Sequence, residues 1–396
     1  MSLSGGRDEG PAPAPGGAPQ TPAVLPDYSA ANLTGVVPGL LAPPGERPQW
    51  LPGPALDAGR AVLVVLDGLG WYQLQERAGL APTLASMTGG PITTVAPSTT
   101  ACALTSLVVG APPAAHGVVG YRVVVPGPAG PEVMNVLKWK ASVSGDARPF
   151  VDPAGFQTLP PFGGRPVPVV SKADFAGTPF TEAHQHGARQ VGWYSPSGLA
   201  VDVRSQIAGG EPFVYAYYDG IDRVAHMQGF GAHYDAELTA VDRLVADVLD
   251  AVPPDVAVVV TADHGQVQVG SQVVELAPEV MARVALVSGE PRFRWLHTPT
   301  GAPGEAKELA ELLVELYGDS AWVATYDQVE AEGWLGGPVG PVIRARLGDV
   351  ALVPFAPVAY LEPGEAAGNR LLCRHGSLTA AEMFVPLLAG RGRRAD

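Results

Sequence analysis

The sequence predicts an α/β protein with a mostly parallel central sheet, helices on both faces, and a smaller α+β cap insertion. Three observations carry that expectation. Residues 61–66, 213–218 and 256–262 are near-continuous apolar runs, each leading to an acid: Asp67, Asp219 and Asp263. A near-continuous apolar run without alternation fits a strand buried on both faces, as in a parallel sheet. Between the last two runs, Leu238, Val241, Val245, Val248 and Leu249 share one face of a helix expected over 233–252. Strand, helix and strand in that order read as a βαβ unit. The chain has 396 residues, 46% of them hydrophobic, enough for a large core.

The elements follow in order. Ten of the first 22 residues are Gly or Pro, so residues 1–25 read as a disordered tail that cannot bury enough surface to order itself. Irregular, Pro-rich packing is expected up to residue 60. Strand 61–66 leads to Asp67, and a Thr-rich turn from Thr93 to Thr100 opens a short helix running through Leu107. The character changes near residue 280. Arg292–Leu296 alternates like a strand, and Leu309, Leu312, Leu313 and Leu316 recur at helical spacing before a capping Gly318. Residues 322–325 and 350–353 read as further strands. The expected division is a catalytic α/β domain of residues 26–279 with 366–396, and an α+β cap over 280–365.

Bulk properties narrow the function. The net charge is −14 with no basic run, which argues against nucleic-acid binding, because phosphate neutralisation needs clustered Lys and Arg. Cys102 and Cys373 are too few for a disulfide framework and fit a reducing compartment. Neither a basic-led apolar leader nor an apolar run near ~18 residues is present. A soluble cytoplasmic protein without membrane contact is expected.

In open α/β sheets, ligands bind beyond the carboxyl ends of the strands. Asp67, Asp222, His226, Asp263 and His264 would therefore converge from distant parts of the chain. Asp222 and His226 are four apart, so a helix would turn both the same way. Singly, each of these has a plain reading as an ion pair, a cap or a turn residue. Together they make the ligand set of a metal site. A Thr at a helix start is most often an N-cap. Beside a divalent metal, the same hydroxyl at a helix N-terminus can attack phosphorus, with the helix dipole favouring the phosphoryl group.

The succession Asp67, Pro97-Ser98-Thr99-Thr100, His116-Gly117, Asp222-xxx-His226, Asp263-His264-Gly265 and His375-Gly376 resembles the alkaline phosphatase superfamily. Within it, the type I phosphodiesterase/nucleotide pyrophosphatase branch is the most similar. The resemblance covers most of residues 60–388. It implies two divalent metal ions, zinc first and manganese as the alternative. Asp222, His226 and His375 would hold one; Asp67, Asp263, His264 and the nucleophile would hold the other. Thr100 is taken as that nucleophile because, as in the family, it lies 16 residues before a His-Gly pair. Where the family carries an Asn that donates to a phosphoryl oxygen, this chain has Tyr121, a phenol with one donor. The implied activity is metal-dependent hydrolysis of a small phosphate ester or nucleotide-like substrate, a phosphodiesterase in the first instance. A phosphomonoesterase or phosphonate hydrolase on the same scaffold is the alternative, and a non-catalytic metal-binding protein is another.

The remaining singular residues have plainer readings. His116 is expected to be structural, and Asp219 a partner of the ligands or a turn residue. His184, His186 and His233 read as packing or surface residues, as does His297 unless it reaches substrate from the cap. Cys102 and Cys373 read as small buried hydrophobes. Trp71-Tyr72 and Trp193-Tyr194 read as core or pocket aromatics.

Overall fold

The computed structural model describes residues 22–365 and 370–394. Most of the tail expected over 1–25, and the expected domain boundary at 366, lie outside the described residues.

The main sheet has seven strands: β1 (Arg60–Leu66), β2 (Thr88–Thr93), β3 (Pro168–Lys172), β4 (Arg189–Trp193), β5 (Phe213–Tyr218), β6 (Val256–Thr261) and β7 (Phe384–Arg391). Their order is β2-β7-β6-β1-β5-β3-β4. The pairs β1–β6, β1–β5, β5–β3 and β3–β4 are parallel, and only β7 runs against its neighbours. The three apolar runs are the three central strands, and β5 and β6 are buried along their whole lengths. Leu63, for example, pairs with Val259 on one side and Tyr215 on the other. That register brings Asp67 and Asp263 to the same edge.

Helix α1 (Thr100–Val109) ends on Gly110 in the left-handed conformation, φ 68°, where a residue without Cβ is favoured. It packs against helices 36–41 and 179–185. Helices α2 (Gly220–Gln228) and α3 (Ala232–Ala251) form a second group with helix 196–208. The segment before β1, expected to be irregular, contains helices at 36–41 and 53–56.

A second, antiparallel four-stranded sheet joins 286–290, 293–297, 350–354 and 321–325 in that order. Helix 303–317 covers it, burying Leu309 and Leu313 in a separate small core while leaving Leu316 exposed. The strand expected from alternation over Arg292–Leu296 is present at 293–297, and all five residues 292–296 are buried. Arg292 is covered because Glu382 and three backbone carbonyls take its donors. A third sheet, a meander of 122–127, 130–135, 140–141 and 145–146, packs strand 122–127 against strand 286–290. The sequence reading had not singled it out.

Candidate active site

Most expected site residues sit just past a strand or on the helix that follows one. Asp67 follows β1, and Asp263 and His264 follow β6. Asp222 and His226 lie on one face of α2, which starts just past β5, and His375 follows the short strand Cys373–Arg374. Thr100 is the first residue of α1. Thr99 occupies the N-cap position, but its side chain makes no capping bond.

These side chains converge. His264 Nε2 lies 3.1 Å from Thr100 Oγ1, 3.3 Å from Asp263 Oδ2 and 3.5 Å from Asp67 Oδ1. Asp222 Oδ1 lies 3.2 Å from His226 Nε2 and 3.9 Å from His375 Nε2. The rings of His264 and His375 stack at 3.6 Å. Two groups have ligand atoms all within 4.8 Å of one another: Asp67, Asp263 and His264, and Asp222, His264 and His375. The first is the trio expected for one metal. In the second, His264 stands close to a pair expected to bind the other metal with His226.

The protonation pattern favours a cation. The Nδ1 atoms of His226, His264 and His375 face the carbonyls of Cys373, Gly265 and Ser98 at 2.7, 3.0 and 3.0 Å. A carbonyl only accepts, so Nδ1 is the protonated nitrogen of each neutral ring, which leaves Nε2 as the atom that can bind a metal. Such backbone anchoring is what orients histidines that bind metals. The Nε2 atoms meet carboxylate oxygens, and Asp67 Oδ1 and Asp263 Oδ2 are buried with no hydrogen-bond partner. Electron pairs facing electron pairs in a buried site are stabilised by a positive ion between them. The residues present therefore fit divalent metal.

The titration directions agree. Burial, then Asp263 and Asp222, push the Asp67 carboxyl well above the usual range. Burial also raises Asp222, and burial with His264 and His226 pushes His375 well below the ordinary imidazole value. Held without a cation, the cluster disfavours its own charges. Two contacts orient the acids: Tyr217 donates to Asp67 Oδ2, and Gln266 Nε2 donates to Asp222 Oδ1 at 2.8 Å. Gly68, at φ 73°, leaves room for Gln266, since a Cβ there would lie 2.5 Å from its Nε2.

Thr100, Leu137, Asp222, His226 and Leu371 line two adjoining clefts. One, about 750 Å³, also presents Tyr121, Asn135, Glu290 and His375. The other, about 850 Å³, presents Lys138, Lys172, Phe180 and His184. Tyr121 thus lies in the same cleft as Thr100. Asn135 and Glu290 went unnoticed in the sequence. Asn135 is placed by its pairing with Arg122 across the meander, and Glu290 by the second sheet. Neither position carries a local motif. His184 is stacked on Phe180 as a packing residue but borders the larger cleft.

The other singled-out residues fall outside the cluster. His116 is buried and bonds Ser106 Oγ at 2.8 Å. Burial, then the Arg346 charge, lower it to about 3. Asp219 occupies the N-cap position of α2 without a capping bond and borders the larger cleft. His297 bonds Ser288 at 2.8 Å in the second sheet. Cys102 and Cys373 are buried free thiols. Trp193 is buried, whereas Tyr194 is exposed. Among the described residues, no helix is long and apolar enough to cross a membrane.

The model of the type I phosphodiesterase / nucleotide pyrophosphatase family matches residues 61–313. No curated protein matches the chain in sequence. Among solved structures, mouse ectonucleotide pyrophosphatase/phosphodiesterase 5 is 16% identical with a TM-score of 0.61, over 83% of this chain and 87% of that one. The human enzyme of the same name is also 16% identical with a TM-score of 0.61, over 85% and 90%. Phosphonoacetate hydrolase from Sinorhizobium meliloti 1021, solved with phosphonoformate, is 20% identical with a TM-score of 0.60, over 84% and 90%. The family match over more than half the chain settles what these similarities of fold alone would leave open: the chain belongs to the type I phosphodiesterase / nucleotide pyrophosphatase family of the alkaline phosphatase superfamily.

Proposed function

We propose that the protein is a two-metal phosphodiesterase with Thr100 as nucleophile. The observation that carries this is the position of the Thr100 hydroxyl. It stands at the start of α1, 3.1 Å from His264 Nε2, on a residue that lines two adjoining clefts. A phosphodiester has a substituent on each side of phosphorus, and two clefts adjoining at one residue suit it. Asp222, His226 and His375 would hold one ion, zinc or manganese, and Asp67, Asp263, His264 and Thr100 the other. Two such ions supply positive charge that favours an ionised Thr100 hydroxyl and offsets the charge of the phosphoryl oxygens.

The chain's own residues do the rest. The amides at the start of α1 and its dipole favour a phosphoryl group beside Thr100. Thr100 gives its hydroxyl proton to solvent, Oγ1 bonds to phosphorus, and the leaving oxygen departs with the bonding electron pair and takes a proton from solvent. Water then cleaves the phosphothreonine and restores the hydroxyl. Holding the reacting atoms in line is where fixed geometry contributes most. The Tyr121 phenol and the Asn135 amide offer donors in the cleft where the family places an Asn. Asn135 Oδ1 accepts from Lys138 N at 2.9 Å, which leaves its NH2 group to donate. In the mouse relative, a threonine-to-alanine variant is inactive and was solved with AMP, which supports a threonine in this role.

A phosphonate-hydrolase reading has one observation behind it. Lys138, Lys172 and Arg223 border the larger cleft, cations suited to a second acidic group on the substrate. Hydrolysis of bis-p-nitrophenyl phosphate against p-nitrophenyl phosphate by zinc-loaded protein separates the classes. Diester preference, lost in Thr100→Ala, is the expected result. Monoester preference, or activity surviving in Thr100→Ala, would overturn the assignment.

A further inference from the structure

The cleft beside Thr100 holds one acid that belongs to neither candidate metal group. Glu290 ends strand 286–290 of the second sheet and is 4% exposed. It lines the cleft with Thr99, Thr100, Tyr121 and His375. Neither of its carboxyl oxygens makes a well-formed hydrogen bond, although the Thr99 hydroxyl and the Tyr121 amide stand beside it. Three neighbouring arginines pair with other acids: Arg292 with Glu382, Arg294 with Glu365, and Arg122 with Glu362 and Glu365. Room is made for it at the active-site loop. Gly376, directly after His375, has φ 128°, and a Cβ there would lie 2.6 Å from Glu290 Cγ. A buried polar group without partners is costly, and such groups collect where a ligand completes them.

We propose that Glu290 reaches from the second sheet to donate a hydrogen bond to a phosphoryl oxygen of the substrate held at Thr100. Burial raises its carboxyl to about 8, which favours the protonated form that a donor needs. An acid kept neutral by its surroundings can act as an oxyanion donor. An ionised carboxylate here would repel the substrate. Substrate recognition would thus span both sheets, with the nucleophile on one side and this donor on the other. The proposal rests on the reading of Thr100 as the phosphoryl acceptor.

The test compares Glu290→Gln, which keeps a donor, with Glu290→Met, which keeps volume without one, in the zinc-loaded full chain. On bis-p-nitrophenyl phosphate the Gln variant is expected within about tenfold of the parent in kcat/KM. The Met variant is expected to lose about 100-fold, mostly in kcat, as for loss of one oxyanion donor. A Met variant as active as the parent, or a Gln variant as impaired as the Met variant, overturns the proposal. If the Met variant does not fold, Glu290→Asp, which withdraws the donor by one methylene, replaces it with the same expectations. Calorimetric binding of inorganic phosphate gives a readout apart from turnover: weaker in the Met variant, unchanged in the Gln variant, and the reverse overturns the role. Diester turnover absent from the parent, or persisting in Thr100→Ala, sinks the proposed function, while phosphate affinity still judges Glu290.

Discussion

Two regions of this molecule bury charge, and they do so in opposite ways. Beneath the second sheet, Arg292 and Glu382 are both fully buried, and their partners are complete. Arg292 donates to both Glu382 oxygens and to the carbonyls of Pro354, Ala356 and Val358. Glu382 also accepts from Ser377 N at 3.1 Å and from the Thr379 hydroxyl. At the edge of the main sheet, Asp67 Oδ1 and Asp263 Oδ2 have no partner, and three imidazole lone pairs face acids. Burial alone therefore does not mark a functional site. Buried charge left unbalanced does, because folding tolerates it only where something else completes it.

The largest effect expected is on catalysis. Thr100→Ala should lower kcat/KM on a diester by at least about 10⁴-fold, as removal of a nucleophile does, with an unchanged circular dichroism spectrum. Next come paired substitutions that set the two regions against each other in metal-free protein. Glu382→Gln leaves Arg292 buried and unbalanced and should cost about 3–5 kcal/mol by denaturant unfolding. Asp263→Asn removes one of two mutually repelling acids and should leave metal-free protein as stable or more stable, while abolishing tight zinc binding at the site it shares with Asp67 and His264. If both variants lose stability alike, the contrast fails.

Smaller effects sharpen it. Gln266→Leu removes the donor that orients Asp222 and should weaken metal affinity about 10–100-fold, the usual cost of losing such a partner, measured by competition with a chelating dye. The pH dependence of stability reports on the satisfied imidazoles. His116 and His297 are lowered to about 3 and about 4, chiefly by burial. Between those values and about 6.5 the unfolded chain binds protons that the folded chain does not, so each histidine makes stability rise with pH there and contributes no slope above. Each slope is up to about 1.4 kcal/mol per pH unit. Glu290, raised to about 8, has the opposite sign between about 4.5 and 8. His116→Asn should flatten the dependence between pH 4.5 and 6.5; an unchanged slope would contradict the neutral buried ring.

The sequence showed the central strands because apolar runs need no context, and Asp67 and Asp263 came with them as strand-end acids. Asp222 and His226 were legible through helical spacing. Strand β2 was not, since Gly89-Gly90-Pro91 breaks any apolar run, and the close approach of Leu387 O is what requires a glycine at 89. Asn135 and Glu290 were invisible for another reason. They reach the cleft through the register of a meander and the placement of a second sheet, and no local pattern encodes either. The alternation over Arg292–Leu296 was legible as a strand, but not the burial of its two arginines, which Glu382 and Glu365 cover.

The most direct test of the unbalanced site is calorimetric titration of chelator-stripped protein with zinc. Two ions bound per folded chain, with Asp263→Asn losing at least one, is the predicted result. A folded protein that takes up no zinc or manganese would contradict the account.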